Sequence, residues 1–330
     1  MKAVRTKAAR TNATMLFALL LAAAPAFAAG APDQSQALQP PSAAPAPNRF
    51  APTIAPAERF EIKGMLVERH GSGGRPLVLI PGLATGGWVW QETVRAFSKD
   101  HAVYVVTLPG FDGRPAVAGD PFDTAREALK ELIVSRRLAT PVLVGHSLGA
   151  TMSIALAEEL PERIGGAVAI DGLPVMPRTE DMKPEQRAAM AEGVRQQMAA
   201  LKPAAFADQQ LQYMRRIGTV DMGKADDLAL LTGRSDPAAV AGYMAAVLTR
   251  DLRPGLPKIQ APVLVLAPWY DPDSAALGGI SAGDKLAYYR ELMTGTPKLD
   301  VVQIDNARHF AMIDQPAAVN DALRTFLKKL

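Results

Sequence analysis

Short runs of Val, Leu and Ile recur along the chain, and most close on Gly, Pro or Asp. They are "RPLVLIPG" (75–82), "HAVYVVTLPG" (101–110), "TPVLVGHS" (140–147), "IGGAVAIDG" (164–172), "APVLVLAPWYD" (261–271) and "LDVVQIDNARH" (299–309). Continuous apolar runs of this kind suit parallel strands buried on both faces. Ahead of them, "FEIKGMLVERHG" alternates apolar and polar positions like a pair of strands. Helical periodicity fills the gaps, at about 88–99, 122–138, 148–160, 284–294 and 316–329. Strand alternating with helix predicts an α/β fold with a parallel sheet and right-handed crossovers.

One interval breaks the alternation. Between the runs ending near 170 and starting near 262 there is almost no strand signal. "KPEQRAAMAEGVRQQMAALKPAAFADQQLQYMRRIG" is helix-forming, with Pro and Gly as breaks. The expected organisation is a core over 58–172, a helical insertion over 173–257, and a second core segment over 258–330. "GSGG" at 71–74 lacks the Lys-Ser/Thr of a phosphate loop and reads as a turn.

The first 57 residues read differently. Lys2, Arg5, Lys7 and Arg10 precede "MLFALLLAAAPAFA" and the small-x-small triplet Ala26-Phe27-Ala28. That combination predicts a secretory signal peptide over 1–28 and an exported protein, periplasmic or secreted, with no stable membrane insertion after cleavage. Residues 29–57 hold seven prolines and little periodicity, which predicts a Pro/Ala-rich disordered tether.

Charge and cysteine content narrow the chemistry. The formal net charge is +3, and losing the four leader cations takes it to −1. A near-neutral mature chain predicts no nucleic-acid partner. With no cysteine there is no disulfide, no thiol catalysis and no thiolate metal site. Four scattered histidines give no metal-ligand spacing, so no metal and no cofactor is expected.

The chemistry concentrates in "VLVGHSLGA". A nucleophilic serine must be exposed at the carboxyl edge of a buried sheet, and a tight strand-to-helix turn does this. The turn crowds the backbone, so its near neighbours must be small, as Gly145, Gly149 and Ala150 are. An N-cap serine needs no glycine on both flanks. The amide of Leu148, at the start of the following helix, is placed to stabilise an oxyanion. The motif resembles the nucleophile elbow of the α/β-hydrolase fold superfamily, and the resemblance runs over about 60–330. It implies a mostly parallel eight-stranded sheet flanked by helices, with the insertion as a helical cap. It also implies functional residues in the order serine, acid, histidine.

Of His70, His101, His146 and His309, only His309 follows the serine, in "DNARHFAMIDQP". The resemblance implies that it is the general base. Matching "APVLVLAPWYDPDS" to the superfamily's seventh-strand pattern makes Asp271 the expected acid, with Asp273 and Asp171, after the sixth strand, as alternatives. Here Pro268, Trp269 and Tyr270 depart from the usual pattern. The second oxyanion donor falls on the amide of Leu83 in "LIPGLATGGWVW", with Ala84 as an alternative. Trp88, Trp269 and Tyr270 are candidate pocket residues; for Trp88 and Trp90 a place in the core competes. Seven of the thirteen methionines fall in the insertion, which suits an adaptable apolar pocket or simply a good helix.

The expected function is hydrolysis of small-molecule carboxylic esters through an acyl-enzyme on Ser147, with His309 and Asp271 completing a triad. Lactone, amide or peptide cleavage and cofactor-free haloperoxidase activity use the same residues. A non-catalytic binding protein on this fold usually lacks one of the three. Nothing in the sequence speaks to oligomeric state.

Overall fold

The computed structural model describes residues 48–330. The expected leader over 1–28 and the tether as far as residue 47 lie outside the described residues.

The chain enters the sheet through an antiparallel hairpin, β1 (Glu58–Ile62) and β2 (Met65–His70). Six further strands follow: β3 (Leu77–Ile80), β4 (Val103–Thr107), β5 (Val142–His146), β6 (Gly166–Ile170), β7 (Val263–Trp269) and β8 (Leu299–Asp305). They form one eight-stranded sheet in the order β1-β2-β4-β3-β5-β6-β7-β8. β2 pairs antiparallel with β4, and every pairing from β4 onward is parallel. The expected fold is therefore the fold found.

The alternation of side chains explains why the runs are apolar throughout. Val78 and Ile80 face one core and Leu77 and Leu79 the other, and all four are fully buried. The edge strands β1 and β8 keep a half-polar pattern, and β8 leaves Val302 exposed.

Helices cover both faces: α1 (Gln91–Phe97), α2 (Pro121–Ser135) and α3 (Leu148–Glu159) between the early strands, then α8 (Ala282–Leu292), a short α9 (Ala311–Asp314) and α10 (Pro316–Leu327). Between β6 and β7 lie α4 (Pro184–Ala199), α5 (Pro203–Tyr213), α6 (Met222–Thr232) and α7 (Pro237–Thr249). The prolines that break the sequence pattern start helices. Pro121, Pro184, Pro203, Pro237 and Pro316 each take the first helical position, where a missing N–H loses no helical bond. Asp120, Asp221 and Asp236 accept from the first free amides of α2, α6 and α7, satisfying donors that the helix itself cannot.

The insertion is closed at its neck by a bridge between Val175 and Asp251 and by the bond from the Leu252 amide to the Pro174 carbonyl, 2.8 Å. Arg187 and Arg253 both bind Asp251 there. Its α7 is buried along most of its length, with Tyr243 fully enclosed against Phe111.

The tether needs correction over 48–57, which pack against the body. The Gln91 side chain donates to the carbonyls of Phe50 and Ala51 (2.8 and 3.1 Å), and the Thr53 amide donates back to it, 2.8 Å. Asn48 donates to the Asp227 carbonyl on α6, 2.8 Å, and Phe50 and Ile54 pack on the core. Two apolar side chains, the side chain of Gln91 and the bonds of Asn48 and Arg49 to Asp227 hold a segment that its prolines mark as linker.

Candidate active site

Register brings the site together. Gly145 pairs with Ile80 and His146 with Ile170, so β3, β5 and β6 end at one level. The pairing continues one step further, with the Ser147 amide donating to the Ile170 carbonyl and the Asp171 amide to Leu266, at 2.9 and 3.0 Å. Ser147 and Asp171 thus leave neighbouring strands side by side.

Both have left-handed backbones, φ +52° at Ser147 and +46° at Asp171. A non-glycine residue held there costs about 1–3 kcal/mol and is kept only where surroundings enforce it. At the elbow they do. A Cβ on Gly145 would meet the Gly149 carbonyl oxygen at 2.1 Å, and one on Gly149 would meet the Ile80 oxygen at 2.2 Å. Ser147 heads α3 without its side chain capping it, so helix capping does not explain the residue. Its hydroxyl makes no hydrogen bond among the described residues and is partly open to solvent.

His309 follows β8. Its Nδ1 lies 2.6 Å from Asp171 Oδ2. With a carboxylate there, Nδ1 carries the proton and Nε2 is left free as an acceptor. The residue is fixed from two sides. The His309 and Phe310 amides donate to Ile217 and Gly218, in a π-helical turn (Met214–Gly218) of the insertion, at 3.1 and 2.9 Å. On the sheet side, His146 Nε2 donates to the His309 carbonyl, 3.0 Å, with the rings 4.6 Å apart. His146 is fully buried; burial and then the neighbouring His309 hold it well below the usual imidazole range, so it is neutral.

Burial works against the Asp171 charge, but the Lys285 ammonium and the bonds from His309 and Tyr289 outweigh it and hold the carboxyl well below its usual range. Tyr289, on α8, donates its hydroxyl to Asp171 Oδ1, and Lys285 Nζ lies 3.8 Å from the same oxygen.

The expected acid, Asp271, is not at the histidine. β7 stays paired to β8 as far as Trp269, three residues past its last pair with β6, Leu266 to Ile170. That carries Asp271 beyond the level of the site into an exposed turn, where it accepts from Trp269 Nε1, 2.8 Å. Asp273 is also committed elsewhere, accepting from Nη2 and Nε along one edge of the Arg308 guanidinium at 2.7 and 2.8 Å. Asp171 follows its strand directly and takes the position.

On the other side of Ser147, the loop after β3 approaches so closely that a Cβ on Gly82 would lie 3.2 Å from Ser147 Cβ. Among the described residues no group accepts from the amides of Leu83 or Leu148. Thr85 shapes the loop by donating its hydroxyl to the Gly82 carbonyl, 2.7 Å, and Ser235 of the insertion donates to Ala84, 2.9 Å. Two amides without an acceptor among the described residues, next to a partly exposed serine, are the arrangement that a developing oxyanion requires.

The aromatic candidates fare unevenly. Trp88 is corrected to core: it is 4% exposed, within the cluster formed by Val105, Leu79 and Phe97. Trp269 is buried and spends its N–H on Asp271, while its carbonyl accepts from Ala307, 3.0 Å. Tyr270 lies beneath the Arg308 guanidinium, 5.1 Å from the ring centre. Besides the adjacent Phe310, an aromatic ring that meets the histidine is Tyr213, at the end of α5, edge-on at 6.1 Å, its hydroxyl without a hydrogen-bond partner among the described residues. Burial, then the Asp171 charge, raise its hydroxyl above the usual tyrosine range. Tyr213, Lys285 and Tyr289 carry no sequence signal, because each sits in an ordinary amphipathic helix. Among the described residues no cluster is suited to a metal ion, and no helix is long and apolar enough to cross a membrane.

A parallel sheet with a strained serine elbow, a histidine on the last loop and an inserted helical unit defines an α/β-hydrolase fold. The chain belongs to the alpha/beta hydrolase family, whose pattern it matches over residues 77–322. It is similar to 2-succinyl-6-hydroxy-2,4-cyclohexadiene-1-carboxylate synthase of Escherichia coli O157:H7, 29% identical over 57% of this chain and 75% of that one. Among solved structures it resembles a thermophilic esterase from Thermogutta terrifontis (TM-score 0.64, 22% identity, 83% and 99% of the two chains). It also resembles the enol-lactonase from Burkholderia xenovorans LB400 (TM-score 0.61, 20% identity, 82% and 100%).

Proposed function

We propose that this protein is an exported serine hydrolase that cleaves small carboxylic esters through an acyl-enzyme on Ser147, with His309 as base and Asp171 as the acid that orients it. The observation that carries the reading is the 2.6 Å bond from His309 to Asp171 beside a serine held at φ +52°. Ser147 Oγ forms a bond to the ester carbonyl carbon while its proton passes to His309 Nε2. The amides of Leu83 and Leu148 hold the oxyanion. The carbon–oxygen bond to the alcohol then breaks, and His309 returns the proton to the departing oxygen. Water repeats the sequence to free the acid. Asp171 keeps Nδ1 protonated and offsets the imidazolium charge. Export rests on the leader-like first 28 residues, and N-terminal sequencing of exported protein should begin near Ala29.

A fluorophosphonate tests the mechanism. Ser147 Oγ bonds to phosphorus, the P–F bond breaks and fluoride leaves with its electron pair. Mass spectrometry is expected to place the adduct on the peptide containing Ser147, and Ser147→Ala to lose both the adduct and p-nitrophenyl acetate hydrolysis. Hydrolysis by an unlabelled Ser147 would overturn the reading. The similarity to a protein named as a synthase supports a second reading, in which the same residues act on a substrate without forming an acyl-enzyme. Turnover of esters with a trappable acyl-enzyme decides for the first; no acyl-enzyme with any ester decides for the second.

A further inference from the structure

The geometry points to Tyr289 and Lys285 of α8 as positioning residues that hold Asp171 in place and set how strongly its charge supports His309, an inference that rests on the triad reading above. An acid that follows its strand directly, at φ +46°, has no loop of its own to hold it. Something else must fix its carboxylate plane. Asp171 Oδ2 faces His309, and Oδ1 is taken by the Tyr289 hydroxyl with Lys285 Nζ 3.8 Å away. Lys285 is itself anchored, donating to the Pro268 carbonyl at the end of β7, 2.6 Å. Tyr289 is 7% exposed and packs its ring in the core. Burial, then the Asp171 charge, keep its hydroxyl protonated and therefore a donor. The two oxygens of one carboxylate thus serve two partners, and charge drawn to Oδ1 is withdrawn from Oδ2.

The sign of the effect follows. Without the Tyr289 O–H or the Lys285 charge, Asp171 presents more negative charge to His309 and the imidazolium gains stability. Only neutral His309 accepts the serine proton, so the acid limb of the reaction moves to higher pH. The other groups around His309 leave this channel clear. His146 at the end of β5 is held neutral by burial, and Tyr213 from the insertion stays protonated. Arg308 spends its charge on Asp273.

The test is the rate at which a fluorophosphonate labels Ser147, followed against pH, because it reads the histidine without a natural substrate. Tyr289→Phe keeps the buried ring, and Lys285→Met keeps the aliphatic stem. Each is expected to move the midpoint of the acid limb up by about half a pH unit, so that labelling well below the midpoint slows about threefold beyond any change in plateau. Lys285→Arg should restore the wild-type midpoint. A thermal melt identifies folded variants, and if Tyr289→Phe does not fold, Lys285→Met carries the test alone. An unchanged or lowered midpoint in a folded variant overturns the positioning role, whatever happens to the plateau. Absence of labelling in the wild-type protein overturns the triad reading and this inference with it.

Discussion

The ends of β6 and β7 offer the same chemistry in two settings. Each is followed by aspartate, Asp171 after β6 and Asp271 and Asp273 after β7, and only the first reaches the histidine. The difference is one of register. β6 stops level with β5, and its next residue stands beside the elbow. β7 continues along the edge strand β8, and its carboxylates serve the structure around the site instead. Asp271 holds the Trp269 indole, and Asp273 clamps Arg308, whose other bonds reach the Arg215 and Thr219 carbonyls of the insertion at 3.0 and 3.2 Å. One strand end sets its aspartate against the histidine, and the other ties the histidine loop to the insertion.

The largest test of that contrast is to neutralise each acid in turn. Asp171→Asn should fold and lose about four orders of magnitude in ester turnover, because an amide there favours the wrong His309 tautomer. Asp271→Asn should change turnover less than about threefold, since its oxygen can still accept from Trp269. Steady-state kinetics on p-nitrophenyl acetate decide between them; the reverse order of effects would return the acid to β7.

Much of this was legible in the residues. The parallel strands show as unbroken apolar runs because both faces are covered, and the elbow shows because its glycines answer to contacts near 2 Å. The proposed nucleophile and base, Ser147 and His309, were picked out by chain order alone. The acid did not follow from order, because β7 carries its pairing through Pro268 and Trp269, and a register shift leaves no mark on composition. A cue was present in "AVAIDG". There the aspartate abuts its strand, and a Cβ on the following Gly172 would lie 2.5 Å from the Ser147 carbonyl oxygen. The packing of 48–57 was hidden for a different reason, since its partner Gln91 lies far along the chain. Tyr213 and Tyr289 belong to helices whose sequence records only which face is buried.

A smaller effect should come from the clamp. Arg308→Met removes the bidentate partner of Asp273 and two carbonyl contacts to the insertion, one residue before His309. The pair is partly shielded, so the expected cost is about 1–2 kcal/mol in a denaturant melt. Turnover should fall about tenfold, because the histidine would be held by fewer bonds. Asp273→Asn should reproduce the loss of stability with less loss of turnover, as the carbonyl contacts survive.

The smallest difference lies in acid sensitivity. Asp171 is held well below the usual carboxylate range in the folded protein, against burial, by Lys285, His309 and Tyr289. A depressed carboxyl contributes stability that is fully present above its unfolded pKa and is lost as pH falls toward its folded one. The window therefore opens below about pH 4, where an unfolded aspartate takes up its proton. Asp171→Asn removes this contribution and with it part of the slope of stability against pH in that window. Asp271 accepts from the Trp269 indole, and Asp271→Asn serves as the control variant. Urea melts between about pH 2.5 and 5 measure both slopes, and the contrast fails if the two variants run parallel.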